Sequence, residues 1–230
     1  MFFFDSYYFI LVIPAIVISL FAQMAVQSAF SKYSKVRTAK GITGAEAARE
    51  VLDRSGVQEI KIVRVAGKLT DHFDPRTNTI SLSDSVYGSA TVAAAGVAAH
   101  EAGHAVQYAE EYSPMKLRAA IIPVTRFGSM LAWPLILISF FIESVYSDLL
   151  FAIGAILFAS VLVFQLVTLP VELNASRRAL AALEGSNMLE KSEMPGARKV
   201  LRAAAMTYLA ALIVTVAQLA RILLMRNRRR

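Results

Sequence analysis

Apolar residues along the chain gather in four long runs, Tyr8–Phe30, Ala119–Ile142, Leu149–Leu169 and Ala203–Met225. Each is close to the roughly 20 predominantly apolar residues that a helix needs to cross a bilayer. Between the first and second runs the pattern becomes finer. Thr43-Gly44-Ala45-Glu46 has the form of a capping box and predicts a helix over Ala45–Ser55, with Gly56 as its C-terminal stop. Glu59–Ala66 sets Ile60, Ile62 and Val65 among charged residues at nearly every second position, and Thr79–Ser83 alternates Ile80 and Leu82 with small polar side chains. Both read as strands. Turn residues at Asp74-Pro75-Arg76-Thr77-Asn78 make them a hairpin, with Thr79–Ser83 expected at the sheet edge. An edge there can pair with an extended peptide, or can simply be where the sheet ends. The small apolar run Thr91–Ala99, free of proline from Ser89 to Tyr112, then predicts a closely packed helix with Gly96 and Gly103 on its contact surfaces.

Composition turns the four runs into membrane spans. The 230 residues are 56% hydrophobic with a formal charge of +7, too apolar for an ordinary soluble domain of this size. No basic residue precedes the first run, only Asp5, which argues against a cleaved signal peptide. Lys32, Lys35, Arg37 and Lys40 follow the first run, Lys116 and Arg118 precede the second, and Arg177 and Arg178 follow the third. Flanking basic residues are retained in the cytoplasm, so the segment between the first two runs is expected there, and the short acidic Glu143–Asp148 outside. A fourth crossing would put Arg226 and Arg228–Arg230 outside, against that rule, so the last run is either a fourth span, a re-entrant segment or an interfacial one. The basic tail lacks interleaved aromatics, which favours anionic lipid over nucleic acid as its partner. There is no cysteine, so disulfides and thiolate ligands are both excluded. Arg126 and Trp133 within the second run suggest no role.

Within the small apolar helix stands His100-Glu101-Ala102-Gly103-His104. Residues four apart lie one above the other on a helix, so both imidazoles can close on one ion. Glu101 projects beside them, where a carboxylate can take a proton from an attacking water. The bland alternative is a pair of core histidines, but two imidazoles buried there need partners. Catalytic zinc takes three protein ligands and leaves one position open. Glu172, after Pro170 at the cytoplasmic end of the third run and with small Ala175 and Ser176 one turn on, is the best-placed later carboxylate; an interfacial carboxylate paired with Arg177 or Arg178 is the alternative.

Three segments together resemble one family, the YugP-like, membrane-bound neutral zinc metallopeptidases of bacteria. They are Asp71-His72-Phe73-Asp74-Pro75-Arg76 leading into a strand ending Leu82-Ser83, HEAGH followed by Ala105-Val106-Gln107, and Val171-Glu172-Leu173-Asn174-Ala175-Ser176-Arg177. The resemblance spans nearly the whole chain and implies His100 and His104 as metal ligands, Glu101 as general base and Glu172 as third ligand, with zinc as cofactor. The last segment is also similar to the glutamate-bearing helix of HtpX-type membrane proteases, except that Ser176 stands where those commonly carry an aspartate. His72 and Tyr108 are candidates for stabilising a transition state or supporting the ligands, with a purely structural turn role as the alternative for His72.

The expected molecule is an α+β membrane protein: a small zincin-like domain with short antiparallel strands and an HExxH helix, joined to a bundle of about four transmembrane helices. Residues 1–31 are read as an anchor, 32–118 as a cytoplasmic catalytic domain and 119–230 as membrane helices with a basic tail. The expected activity is zinc-dependent hydrolysis of a protein or peptide at a multi-pass cell-membrane site. The competing reading is a non-catalytic scaffold or chaperone-like partner with a structural zinc.

Overall fold

The computed structural model describes residues 5–142 and 145–227, so Met1–Phe4, Glu143, Ser144 and Arg228–Arg230 lie outside the described residues. A π-wound opening at Tyr8–Val12 runs into α1 (Ile13–Tyr33), followed by α2 (Gly44–Arg54), β1 (Lys61–Val65), β2 (His72–Asp74), β3 (Thr79–Ser83), α3 (Val92–Ala109), α4 (Ser113–Phe141), α5 (Ser147–Gly185) and α6 (Met194–Asn227). The chain is mostly helical, with one small sheet. Among the described residues four helices, Tyr8–Tyr33, Ser113–Phe141, Ser147–Gly185 and Met194–Asn227, are long and apolar enough to cross a membrane. They outrun the apolar stretches that announced them, because polar flanks continue the same helices. In α5 the helix passes through Pro170, which lacks the N–H that a helical residue donates four positions back, and carries Glu172 onward on the same rod.

The chain divides into two compact units, Met1–Ala22 with Lys116–Leu169 and Thr207–Arg230, and Gln23–Met115 with Pro170–Met206. The core of the first unit is Ala132, Ile136, Phe140, Phe151, Phe158 and Ile222. Glycine permits close approach of α4 and α5 there: a Cβ on Gly154 would lie 2.7 Å from the Ile136 side chain and 3.1 Å from the Ala132 carbonyl oxygen. Trp133 meets Phe158 edge-on with ring centroids 5.8 Å apart. Phe21, Phe127 and Ile156 remain exposed, as lipid-facing side chains do.

Of the arginines that counted against a fourth crossing, Arg226 lies among the described residues and is paired within this unit, as is Arg221 about one and a half turns earlier. Arg221 Nη2 lies 2.7 Å from Asp5 Oδ2 and the guanidinium sits over the Tyr8 ring, while Arg226 bonds Asp148 and Ser147. The start of the first helix, the start of α5 and the end of α6 therefore share one end of the unit. Such pairing offsets much of the cost of a charge next to apolar surroundings.

The second unit is built on α2, the sheet and α3. The capping box is present, with Thr43 Oγ1 accepting from the Glu46 N–H and Glu46 Oε2 accepting from the Thr43 N–H. It starts α2 one residue before the expected Ala45, and Gly56, at φ +71°, closes it. Ala47, Ala48, Val51 and Leu52 bury one face of α2 in a core shared with Ile80 and Leu82 of β3 and the alanines of α3.

The sheet corrects the expected hairpin. Its order is β1-β3-β2, with β1 parallel and β2 antiparallel to β3, so Thr79–Ser83 is the central strand and the sheet is mixed, not antiparallel. The turn at Asp74–Asn78, with Asn78 at φ +49°, joins β2 to β3. β2 has three residues in a polar segment, too few to display an alternating pattern. Without it, β1 seemed the only partner for β3.

Candidate metal centre

Helix α3 begins at Thr91, whose Oγ1 accepts from the Ala94 N–H, and its small residues let other helices approach. A Cβ on Gly103 would lie 2.7 Å from the Ala175 carbonyl oxygen, so α3 and α5 cross almost backbone to backbone beside His104. Gly96 meets α6 more loosely, with the Ala197 Cα 3.7 Å from its notional Cβ. The α3–α5 crossing brings Glu172, Ala175 and Ser176, on successive turns of α5, against the histidine face of α3.

His100, His104 and Glu172 each offer one ligand atom, and these atoms lie within 4.8 Å of one another. Glu172 Oε2 is 3.3 Å from His100 Nε2 and 3.4 Å from His104 Nε2. Atoms bound about 2.0–2.1 Å from one tetrahedral ion stand roughly 3.3 Å from each other, so these separations also suit three ligand atoms around a shared zinc. The ring nitrogens facing away are held by other groups: His100 Nδ1 is 3.1 Å from Ser176 Oγ, and His104 Nδ1 is 3.0 Å from Gln107 Oε1. Two imidazole nitrogens and one carboxylate oxygen, with the far nitrogens tied down, fit a zinc ion. The two imidazoles meet edge-on, their centroids 4.7 Å apart. Glu172 and Gln107 are wholly enclosed, and His104 is buried. Burial disfavours the His104 cation, but the Glu172 hydrogen bond and the charges of Glu101 and Glu172 outweigh it and raise its proton affinity above the ordinary imidazole value.

Glu101 sits on the same helix, 9% exposed, and its side chain makes no hydrogen bond among the described residues. Among those residues no fourth histidine or carboxylate joins the three. Arg178, one of the two alternative partners for Glu172, pairs with Glu110 at 2.6 Å. His72 stands apart from the cluster: it is exposed on β2, with Nδ1 bonded to the Thr70 carbonyl oxygen at 2.8 Å. Tyr108 is half-exposed and lies against Phe73 of β2, ring centroids 5.8 Å apart. Ser176, which departs from the HtpX-type aspartate, still reaches His100. Gln107 went unassigned in the sequence; its place three residues after His104 on one helix face was the available signal.

Two histidines and a glutamate, with a second glutamate adjacent on the ligand helix, are the donor set of helix-borne zinc hydrolases. From residue 8 to residue 227 the chain matches the family described as "Putative neutral zinc metallopeptidase", and it belongs to that family. It is also 43% identical over 211 residues, 92% of each chain, to the Bacillus subtilis (strain 168) protein named "Putative membrane protease YugP". No solved structure matches the chain.

Proposed function

We propose that the chain is an integral membrane zinc endopeptidase of zincin type, with His100, His104 and Glu172 as ligands and Glu101 as general base. The observation that carries this is the convergence of His100 Nε2, His104 Nε2 and Glu172 Oε2, with the largely buried Glu101 next to His100 on the same helix. Zinc, when bound, supplies a Lewis acid that polarises the scissile carbonyl and acidifies water. Glu101 takes the proton of the attacking water on a carboxylate oxygen and returns it to the leaving amine nitrogen.

The substrate strand belongs at β2 rather than at β3, whose two edges are both paired. β2 is an edge strand, it touches α3 through Phe73 and Tyr108, and its outer N–H and C=O groups can hold an extended peptide. His72 and Tyr108 would border that peptide. The flanking charges favour a cytoplasmic site. The lack of a fourth side-chain ligand among the described residues favours an enzyme over a zinc-stapled scaffold. The test is Glu101→Gln: it should retain one zinc per chain while peptide cleavage falls by about 10²-fold or more. Near-parental turnover would remove Glu101 as base.

A further inference from the structure

We propose that Gln107 is a positioning residue that fixes His104 as an Nε2 ligand in the metal-free protein, through hydrogen bonds anchored on α5. The proposal rests on the metal site argued above and adds how one ligand is prepared for it.

The directions of these bonds are determined. Arg178 Nε lies 2.8 Å from Asn174 Oδ1, and a guanidinium only donates, so the Asn174 atom facing it is the oxygen. That oxygen also faces Gln107 Nε2 at 2.9 Å, which must therefore be the donor. The same Nε2 donates to the Val171 carbonyl oxygen at 2.8 Å, a second and independent constraint of the same sign. Both N–H groups of the Gln107 amide are thus used, and its oxygen is what remains for His104. At 3.0 Å from that oxygen, His104 Nδ1 must carry a proton, so in the neutral ring the lone pair is left on Nε2, facing Glu172. Glu110 holds Arg178 in place from the end of α3.

His100 lacks this arrangement. Its Nδ1 faces the Ser176 hydroxyl, which donates or accepts equally well, so that contact selects neither tautomer. The site therefore has one ligand set in advance and one that adjusts. Gln107 and the Glu172-bearing helix are joined by the same bonds, so the amide that directs His104 also ties α3 to the third ligand. Val171 and Asn174 flank Glu172 on either side along α5.

The test uses the full-length chain in lipid nanodiscs, metal-free, with its three histidines ¹⁵N-labelled. At a pH well above the imidazole range, ¹⁵N NMR distinguishes protonated from bare ring nitrogens, and the His104 signals are assigned by their loss in His104→Gln. The parent should carry the His104 proton on Nδ1. Gln107→Met, which keeps shape but offers no acceptor oxygen, should move it to Nε2, towards Glu172, and weaken zinc binding in chelator competition by about 10–100-fold. Should that variant fail to fold, Asn174→Leu removes one anchor of the amide and should shift part of the His104 population to the Nε2 form. Asn174→Asp keeps an acceptor for both Gln107 and Arg178 and should leave the tautomer unchanged. A parent with the proton on Nε2 overturns the proposal, as does a folded Gln107→Met with unchanged tautomer and zinc affinity, or, where Asn174→Leu serves instead, an unchanged tautomer in that variant. A parent that binds no zinc overturns the metal-site reading instead, and the metal-free tautomer comparison still decides the role of Gln107.

Discussion

Gly103 and Ala175 face each other with no room for a side chain between them: a Cβ on Gly103 would stand 2.7 Å from the Ala175 carbonyl oxygen and 3.3 Å from its Cα. Backbone is the obstacle, so a larger residue there has to push the two helices apart. Gly103→Val should therefore cost about 1–3 kcal/mol of stability through overpacking. Zinc affinity should fall with it, because His104 and Glu172 approach each other across this crossing. Thermal unfolding and chelator competition on the purified chain check both. A Gly103→Val protein with parental zinc affinity would mean that the close crossing does not position the ligands.

Glu172→Ala removes the carboxylate oxygen that faces both Nε2 atoms. Metal affinity and peptide cleavage should fall together, and His100 and His104 should lose their shared partner. Glu184→Ala and Glu190→Ala, on exposed positions of the same unit, should change neither. Equal zinc binding by Glu172→Ala and its parent would leave the third ligand elsewhere.

The absence of cysteine makes single-cysteine labelling clean. Lys40→Cys should react with a membrane-impermeant thiol reagent only from the cytoplasmic side, and Val145→Cys only from outside. Asn227→Cys should behave like Val145→Cys, because Arg226 is paired with Asp148 at the start of α5. Labelling of positions 145 and 227 from opposite sides would contradict a fourth crossing, and the reverse accessibility of Lys40 would move the site to the outer face.

The Thr43 N–H and hydroxyl hold the Glu46 carboxyl below its ordinary value, and burial opposes this only weakly. A carboxylate with a lowered folded-state pKa adds stability that is complete above its unfolded value and is lost as pH falls through the folded one. The parent should therefore be more stable than Thr43→Ala by about 1 kcal/mol near neutral pH. The gap should narrow under acid. Chemical denaturation of both proteins across an acidic pH series checks this, and a gap that widens on acidification would contradict it.

The site was legible in the sequence as far as it is local. His100, Glu101 and His104 lie within one helical turn and a little more, so their spacing alone put both rings on one face. Glu172 was reachable as a candidate because catalytic zinc calls for a third ligand and few carboxylates lay on the side that the flanking charges mark; the structure brings it to the two imidazoles. Gln107 was not, since its task depends on Val171 and Asn174, which only the folded crossing of α3 and α5 brings to it. The sheet failed for a similar reason. Three residues at β2 carry no periodicity, yet they occupy the edge that was assigned to β3. The end of α6 was ambiguous partly because Asp148 is distant along the chain from Arg226, and charge counting along a sequence does not see such a pair.

Hydrolysis of a peptide library by the purified full-length chain, with zinc removed and then restored, bears most directly on the central claim. One tightly held zinc per chain, cleavage abolished by its removal and recovered on its return is the predicted result. Cleavage that continues undiminished in the zinc-free protein, or a purified chain that takes up no zinc, would contradict it.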